Sequence, residues 1–156
     1  MKIPTELKHK PVIISEDYDR IDGRNRQSEA KGLSLGLAQW NERGKLDISA
    51  KIWRHTGGKW SRQSEEMPLH RVLDLAILIC RARLFFLERY KKENSGYPLP
   101  QRIGLQGGAL NVALAEENSQ IAGDIELFEE ALRRDDEILS ERLNVLHGLL
   151  NELHTR

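Results

Sequence analysis

The chain reads as an α+β protein in which a short antiparallel sheet packs on a central apolar helix. Three observations predict this. Leu46, Ile48, Ala50 and Ile52 alternate with Asp47, Ser49, Lys51 and Trp53 ahead of a Gly57-Gly58 pair, the period-2 pattern and tight turn of a hairpin. Residues 69–87 hold 14 apolar residues in 19, which describes a helix apolar on nearly all sides. From Asp124 onward, apolar residues recur at helical spacing to about Leu153.

Taken in order, residues 1–27 form an extended arm, in which Val12-Ile13-Ile14 makes a short strand or pins the arm to the core. Ser28 is positioned as the N-cap of a helix over about 29–41, with Leu33, Leu37 and Trp40 on one face and Gly44 closing it. The hairpin spans about 46–64. Pro68 suits the first turn of the central helix, 68–92, because its missing N–H costs nothing there. Leu110, Val112 and Leu114 alternate with small or polar neighbours and suggest a strand over about 109–115. Helix returns over about 124–153, with Ile125, Phe128, Leu132, Leu139, Val145, Leu146, Leu149 and Leu153 as its buried stripe. Asp135-Asp136 interrupts that stripe, so a kink or break is expected there. The 156 residues are the size of one ordinary domain.

Lys+Arg and Asp+Glu are both 24, so no global field draws the chain toward nucleic acid or acidic membranes. The distribution is uneven. Between Asp47 and Glu65 the charged residues are Lys51, Arg54, Lys59 and Arg62, whereas ten carboxylates from Glu116 to Glu141 face only Arg133 and Arg134. This segregation allows self-association, basic hairpin against acidic helix. The one cysteine, Cys80, sits in the most apolar run and reads as an inert core thiol in a reducing, cytoplasmic setting. The longest apolar run, Leu75 to Cys80, is too short to cross a bilayer.

The segments KPVIISEDYDRIDGR, LAQWNERGKLDISAKIWRHTGGKWSRQSEEMPLHRVLDLAILICRARL and RIGLQGGAL together resemble an uncharacterised bacterial family catalogued only as a domain of unknown function. The resemblance spans nearly the whole chain and implies a bacterial, single-domain protein. It carries no activity, cofactor or catalytic residue.

Four groups of residues carry chemistry worth weighing. With Gly57-Gly58 as the turn, Thr56 faces Lys59, His55 faces Trp60 and Trp53 faces Arg62. Lys51, Trp53, His55, Trp60 and Arg62 then share one face. Rings interleaved with cations suit single-stranded nucleic acid, and Trp and Arg equally suit a protein interface. The bland alternative is a cross-strand cation–π pair of Trp53 with Arg62, the Trp rings covering a helix.

Asp74 interrupts the central helix, with His70 at the i,i+4 spacing and Arg71 at i,i+3. That pairing is the beginning of acid–base or metal chemistry, which Glu66 would extend only if the helix reached back past Pro68; a salt bridge to Arg81, Arg83 or a distant arginine is the structural reading. Asp17, Asp19 and Asp22 tempt a calcium reading, but Ile21 and Asp22 stand where the loop needs an oxygen ligand and glycine, and Ser28 stands where it needs glutamate. Asp22 and Arg24 remain as a ligand-loop idea. Finally, Arg142 and His147 have the Arg-x4-His spacing that resembles HEPN-type helical ribonucleases, although five residues on an ideal helix place side chains roughly 140° apart.

The residues therefore predict a non-catalytic binding module that uses Lys51, Trp53, His55, Trp60 and Arg62 for a protein partner or single-stranded nucleic acid. The alternative is a small enzyme working through His70/Asp74 or Arg142/His147. No cofactor and no metal are assigned.

Overall fold

Ala30-Lys-Gly-Leu-Ser-Leu-Gly-Leu37 alternates small and apolar residues, and it runs through the middle of a sheet. The helix expected over 29–41 is thus a strand. Leu33, Leu35 and Leu37 point one way into the core, while Gly32, Ser34 and Gly36 line the other face. Gly36 lies so close to the neighbouring strand that a Cβ there would sit 2.1 Å from the Lys10 carbonyl oxygen. Ser28 does not cap a helix; its hydroxyl accepts the Ala30 N–H at 3.1 Å and donates to Asp22.

The structure, a computed structural model, describes residues 1–22, 28–61, 69–92 and 98–156. Its strands are β1 (Lys10–Glu16), β2 (Ala30–Leu37), β3 (Ile48–Thr56), β4 (Lys59–Trp60), β5 (Gln101–Leu105) and β6 (Gly108–Leu114). The helices are α1 (Leu69–Lys91), α2 (Ile121–Arg134) and α3 (Asp136–His154), with a 3-10 turn at Tyr18–Arg20. Among the described residues the sheet has six antiparallel strands in the order β4-β3-β2-β1-β6-β5. The expected hairpin and the strand near 109–115 are both present. The sheet is larger than expected because β1, β2 and β5 join it.

One face of the sheet carries Ile13, Leu33, Leu35, Leu37, Leu110 and Val112 against Leu75, Leu78, Ala82 and Phe86 of α1 and Ile125 and Phe128 of α2. Burial of these side chains is the main term holding the layers together. The N-terminal arm covers part of the other face. Ile3 lies over Gly32, where a Cβ would meet its Cδ1 at 2.6 Å, and His9 is buried beside β2 and β3.

The central helix is apolar on nearly all sides in sequence, yet Val72, Leu73, Leu84, Leu87 and Tyr90 are exposed. Cys80 is exposed as well, so it is not the core residue its neighbours suggest. The helical C-terminal region breaks at Asp135, as expected. Its apolar stripe is buried only in α2; Val145, Leu149 and Leu153 of α3 face outward. No helix among the described residues is long and apolar enough to cross a membrane.

Candidate functional site at the hairpin face

Register decides what the hairpin presents. Trp53 pairs with Gly32, Lys51 with Ser34 and Ser49 with Gly36, while His55 pairs with Trp60 and Thr56 with Lys59 across the turn. Gly57 and Gly58 take φ of 55° and 79°, the left-handed conformation that a two-residue hairpin turn requires. Ser49, Lys51, Trp53, His55 and Trp60 thereby share the face opposite Ile48 and Ile52, as the alternation predicts. The expected Trp53–Arg62 pairing lies outside the described residues, and so does Arg62 itself.

This face has a buried floor. Trp53 is 0% exposed, with Gly32 beside it contributing no side chain. Its Nε1 donates to Ser34 Oγ at 2.7 Å. Ser34 Oγ lies 2.9 Å from His9 Nε2, and His9 Nδ1 lies 3.0 Å from Ser49 Oγ. Because an indole N–H only donates, the Ser34 hydroxyl is left to donate to His9 Nε2, and the network assigns the His9 proton to Nδ1. Burial, reinforced by the Lys51 charge, lowers the His9 pKa to about 4, so the ring is neutral near pH 7. Sequence reasoning missed His9, Ser34 and Ser49; their contribution depends on strand register and on the path of the arm.

Above the floor stands a rim of Lys51, His55 and Trp60. Lys51 Nζ sits 4.1 Å from the Trp53 ring centroid, a cation–π contact, and burial lowers its pKa. The half-buried Trp60 ring meets Trp53 and His55 edge-on, with centroids 5.9 Å and 5.2 Å away. Lys59, exposed at the turn, pairs with Thr56 and so belongs to the opposite face. Arg54, the remaining described cation of the hairpin, is held by Glu29.

A second polar cluster joins the arm to α1. His70 and Asp74 are not bonded to each other. The Tyr18 hydroxyl donates to Asp74 Oδ2 at 2.6 Å, while His70 Nε2 contacts Asp22 Oδ1. Arg71 grips Asp22 with Nε at 3.0 Å from Oδ1 and Nη2 at 2.5 Å from Oδ2. Burial pushes the Asp74 carboxyl up, partly offset by the Tyr18 hydrogen bond. Burial acts upward on Asp22 also, but donors from Arg71, Ser28 and His70 together hold it below the usual carboxylate range. The Asp22 side chain is 1% exposed and that of His70 43%, so a buried carboxylate holds a ring that reaches solvent. Asp22 belongs to this ion-pair cluster; Arg24 and Glu66 lie outside the described residues.

Arg142 and His147 make separate local contacts on α3: Arg142 Nη1 donates to the Ile138 carbonyl at 3.2 Å, and His147 Nε2 lies 3.2 Å from Asn151 Nδ2. Both are exposed. A broad depression of about 820 Å3 beside α2 mixes Lys8, Lys10, Lys45 and Arg134 with Glu42 and Glu130, so it offers no single-sign field.

None of the curated proteins and none of the solved structures matches the chain. A family model does, over residues 1–155, which accords with the resemblance carried by the arm, the hairpin and the helix that follows it. The chain belongs to the family of unknown function DUF6530.

Proposed function

We propose that this protein is a non-catalytic binding module that recognises a protein partner through the rim formed by Lys51, His55 and Trp60. The observation that carries the reading is the Trp60 ring held edge-on against Trp53 and His55 over a floor fixed by hydrogen bonds. A pre-positioned aromatic loses little freedom on binding, and such residues serve as interface anchors. Single-stranded nucleic acid is the less supported ligand, because successive bases need open ring faces to stack on and the Trp53 ring is enclosed. We take the bacterial cytoplasm as its setting, where the single Cys80 stays reduced.

Trp60→Ala and His55→Ala should abolish retention of the partner while leaving the circular dichroism spectrum unchanged. Unchanged retention in both variants would reject the rim. Salt-sensitive quenching of tryptophan fluorescence by single-stranded RNA or DNA, lost in Trp60→Phe, would replace the protein partner with nucleic acid.

A second reading, acid–base catalysis at His70, draws on the buried Asp22 that holds its ring. It predicts a turnover that His70→Ala removes and the hairpin variants keep.

A further inference from the structure

Lys51, His55 and Trp60 carry hydrogen-bond donors that the fold leaves unused. The half-buried Lys51 ammonium rests 4.1 Å from the Trp53 ring centroid, and among the described residues no carboxylate pairs with it. By contrast, Arg54 is held by Glu29, Lys31 by Asp19 and Lys45 by Asp47. The indole N–H groups of Trp40 and Trp53 have acceptors in Asp47 and Ser34, whereas Trp60 Nε1 and the His55 ring nitrogens bond no described group. Register puts all three side chains on one face.

The chemistry of these donors selects what they take. An ammonium and an indole N–H can only donate, and an imidazole keeps at least one N–H in either protonation state. The group that answers all three accepts hydrogen bonds and carries negative charge. Burial lowers the Lys51 pKa, as befits a cation that has lost part of its water without gaining a counter-charge. A charged acceptor replaces that water with a charge-assisted hydrogen bond. The hairpin cannot supply one, because residues 48–64 include no Asp or Glu. In the acidic stretch of the chain, Asp135, Asp136 and Glu129 are paired with Arg134, Arg83 and Arg89, which leaves the counter-charge to another molecule. A nucleic-acid backbone calls for a track of cations, and this face offers one lysine, since Lys59 belongs to the other side. A single side-chain carboxylate matches it.

We propose that Lys51, with the Trp60 and His55 ring N–H groups beside it, receives a side-chain carboxylate from an acidic segment of the partner protein. This assignment rests on the reading of the rim as a protein-binding surface and gives that partner its chemistry.

The test selects displayed random peptides on the immobilised full chain and on its Lys51→Met and Lys51→Arg variants, then measures the enriched peptides by fluorescence anisotropy. Methionine keeps an aliphatic stem over Trp53, and arginine keeps the charge; circular dichroism confirms both folds. The wild-type and Lys51→Arg selections should converge on sequences with a fixed Asp or Glu, and the Lys51→Met selection should lose that preference. Changing the fixed acid to its amide should weaken binding to the wild type by about tenfold or more and leave binding to Lys51→Met unchanged, the signature of a direct pair in a double-mutant cycle. Enriched peptides without a fixed acid, or an amide bound as tightly as the acid, would overturn the carboxylate while the rim stands, provided Trp60→Ala still abolishes their binding. No enrichment, or peptides indifferent to Trp60→Ala, would overturn both. Tighter binding of a single-stranded oligothymidylate than of any peptide would overturn it in favour of phosphate. A wild-type mass of twice 17.9 kDa that Lys51→Met halves would overturn it in favour of a second copy.

Discussion

Trp53 Nε1 donates to Ser34 Oγ at 2.7 Å, across the neighbouring strands β3 and β2. The bond draws into the interior a ring that belongs, by strand alternation, to the solvent-directed row of the hairpin. Trp53→Phe removes the donor from a buried hydroxyl and should cost about 1–3 kcal/mol; Trp53→Ala adds a cavity and should cost about 3–5 kcal/mol. Trp60→Ala, on the rim, should cost less than Trp53→Ala. Urea denaturation of the three variants checks the order.

His9 makes stability depend on pH in a definite direction. The unfolded chain protonates this ring near its ordinary 6.5, and the folded chain near about 4. Between those values the unfolded state binds more protons, so the contribution is complete above about pH 6.5, is lost as pH falls, and levels off below about 4. The separation corresponds to about 3 kcal/mol. Asp74, whose carboxyl is pushed up by burial, acts in the opposite sense in the acid range. Subtracting the stability profile of His9→Gln from that of the wild type isolates the histidine, and the difference should rise with pH across this window.

The Tyr18–Asp74 bond joins the arm to α1. Tyr18→Phe leaves a buried carboxyl without its donor and should cost about 1–3 kcal/mol, whereas Tyr18→Phe with Asp74→Leu removes both polar groups and should cost less than the sum of the single changes. A double-mutant cycle in urea measures the coupling.

Gly36 and Gly123 make a matched pair. A Cβ at Gly36 would meet the Lys10 carbonyl oxygen, carbonyl carbon and Pro11 Cα within 2.8 Å, all backbone atoms that cannot step aside, while one at Gly123 meets nothing within 4 Å. Gly36→Ala should destabilise by about 3 kcal/mol or fail to fold. Gly123→Ala, within α2, should stabilise by up to about 1 kcal/mol. Thermal unfolding of both variants distinguishes the effects.

Local signals made much of the fold legible. Alternation and the Gly57-Gly58 turn placed the hairpin and its register, and the apolar run placed α1. β2 was misread because Leu33 and Leu37 fit a helical face as well as a strand face, and Ser28 and Gly44 imitate helix caps. The alternation of Gly32, Ser34 and Gly36 with the leucines was the signal that decided the other way. At the candidate site, the shared face of Lys51, Trp53, His55 and Trp60 followed from period 2. The enclosure of Trp53 did not, because it depends on the arm delivering His9 to Ser34 and Ser49. In the same way, the Asp22–Arg71 contact spans 49 residues and leaves no local pattern. Periodicity identified the apolar stripe of α3, but a stripe does not state what covers it.

The rim is tested most directly by site-specific photo-cross-linking in cells, with a photoreactive residue placed at His55 and, as a control, at the exposed Gly123 of α2. The account predicts a discrete protein adduct from position 55 that Trp60→Ala eliminates and that position 123 does not form. Cross-linking from both positions alike, or from neither, would contradict it.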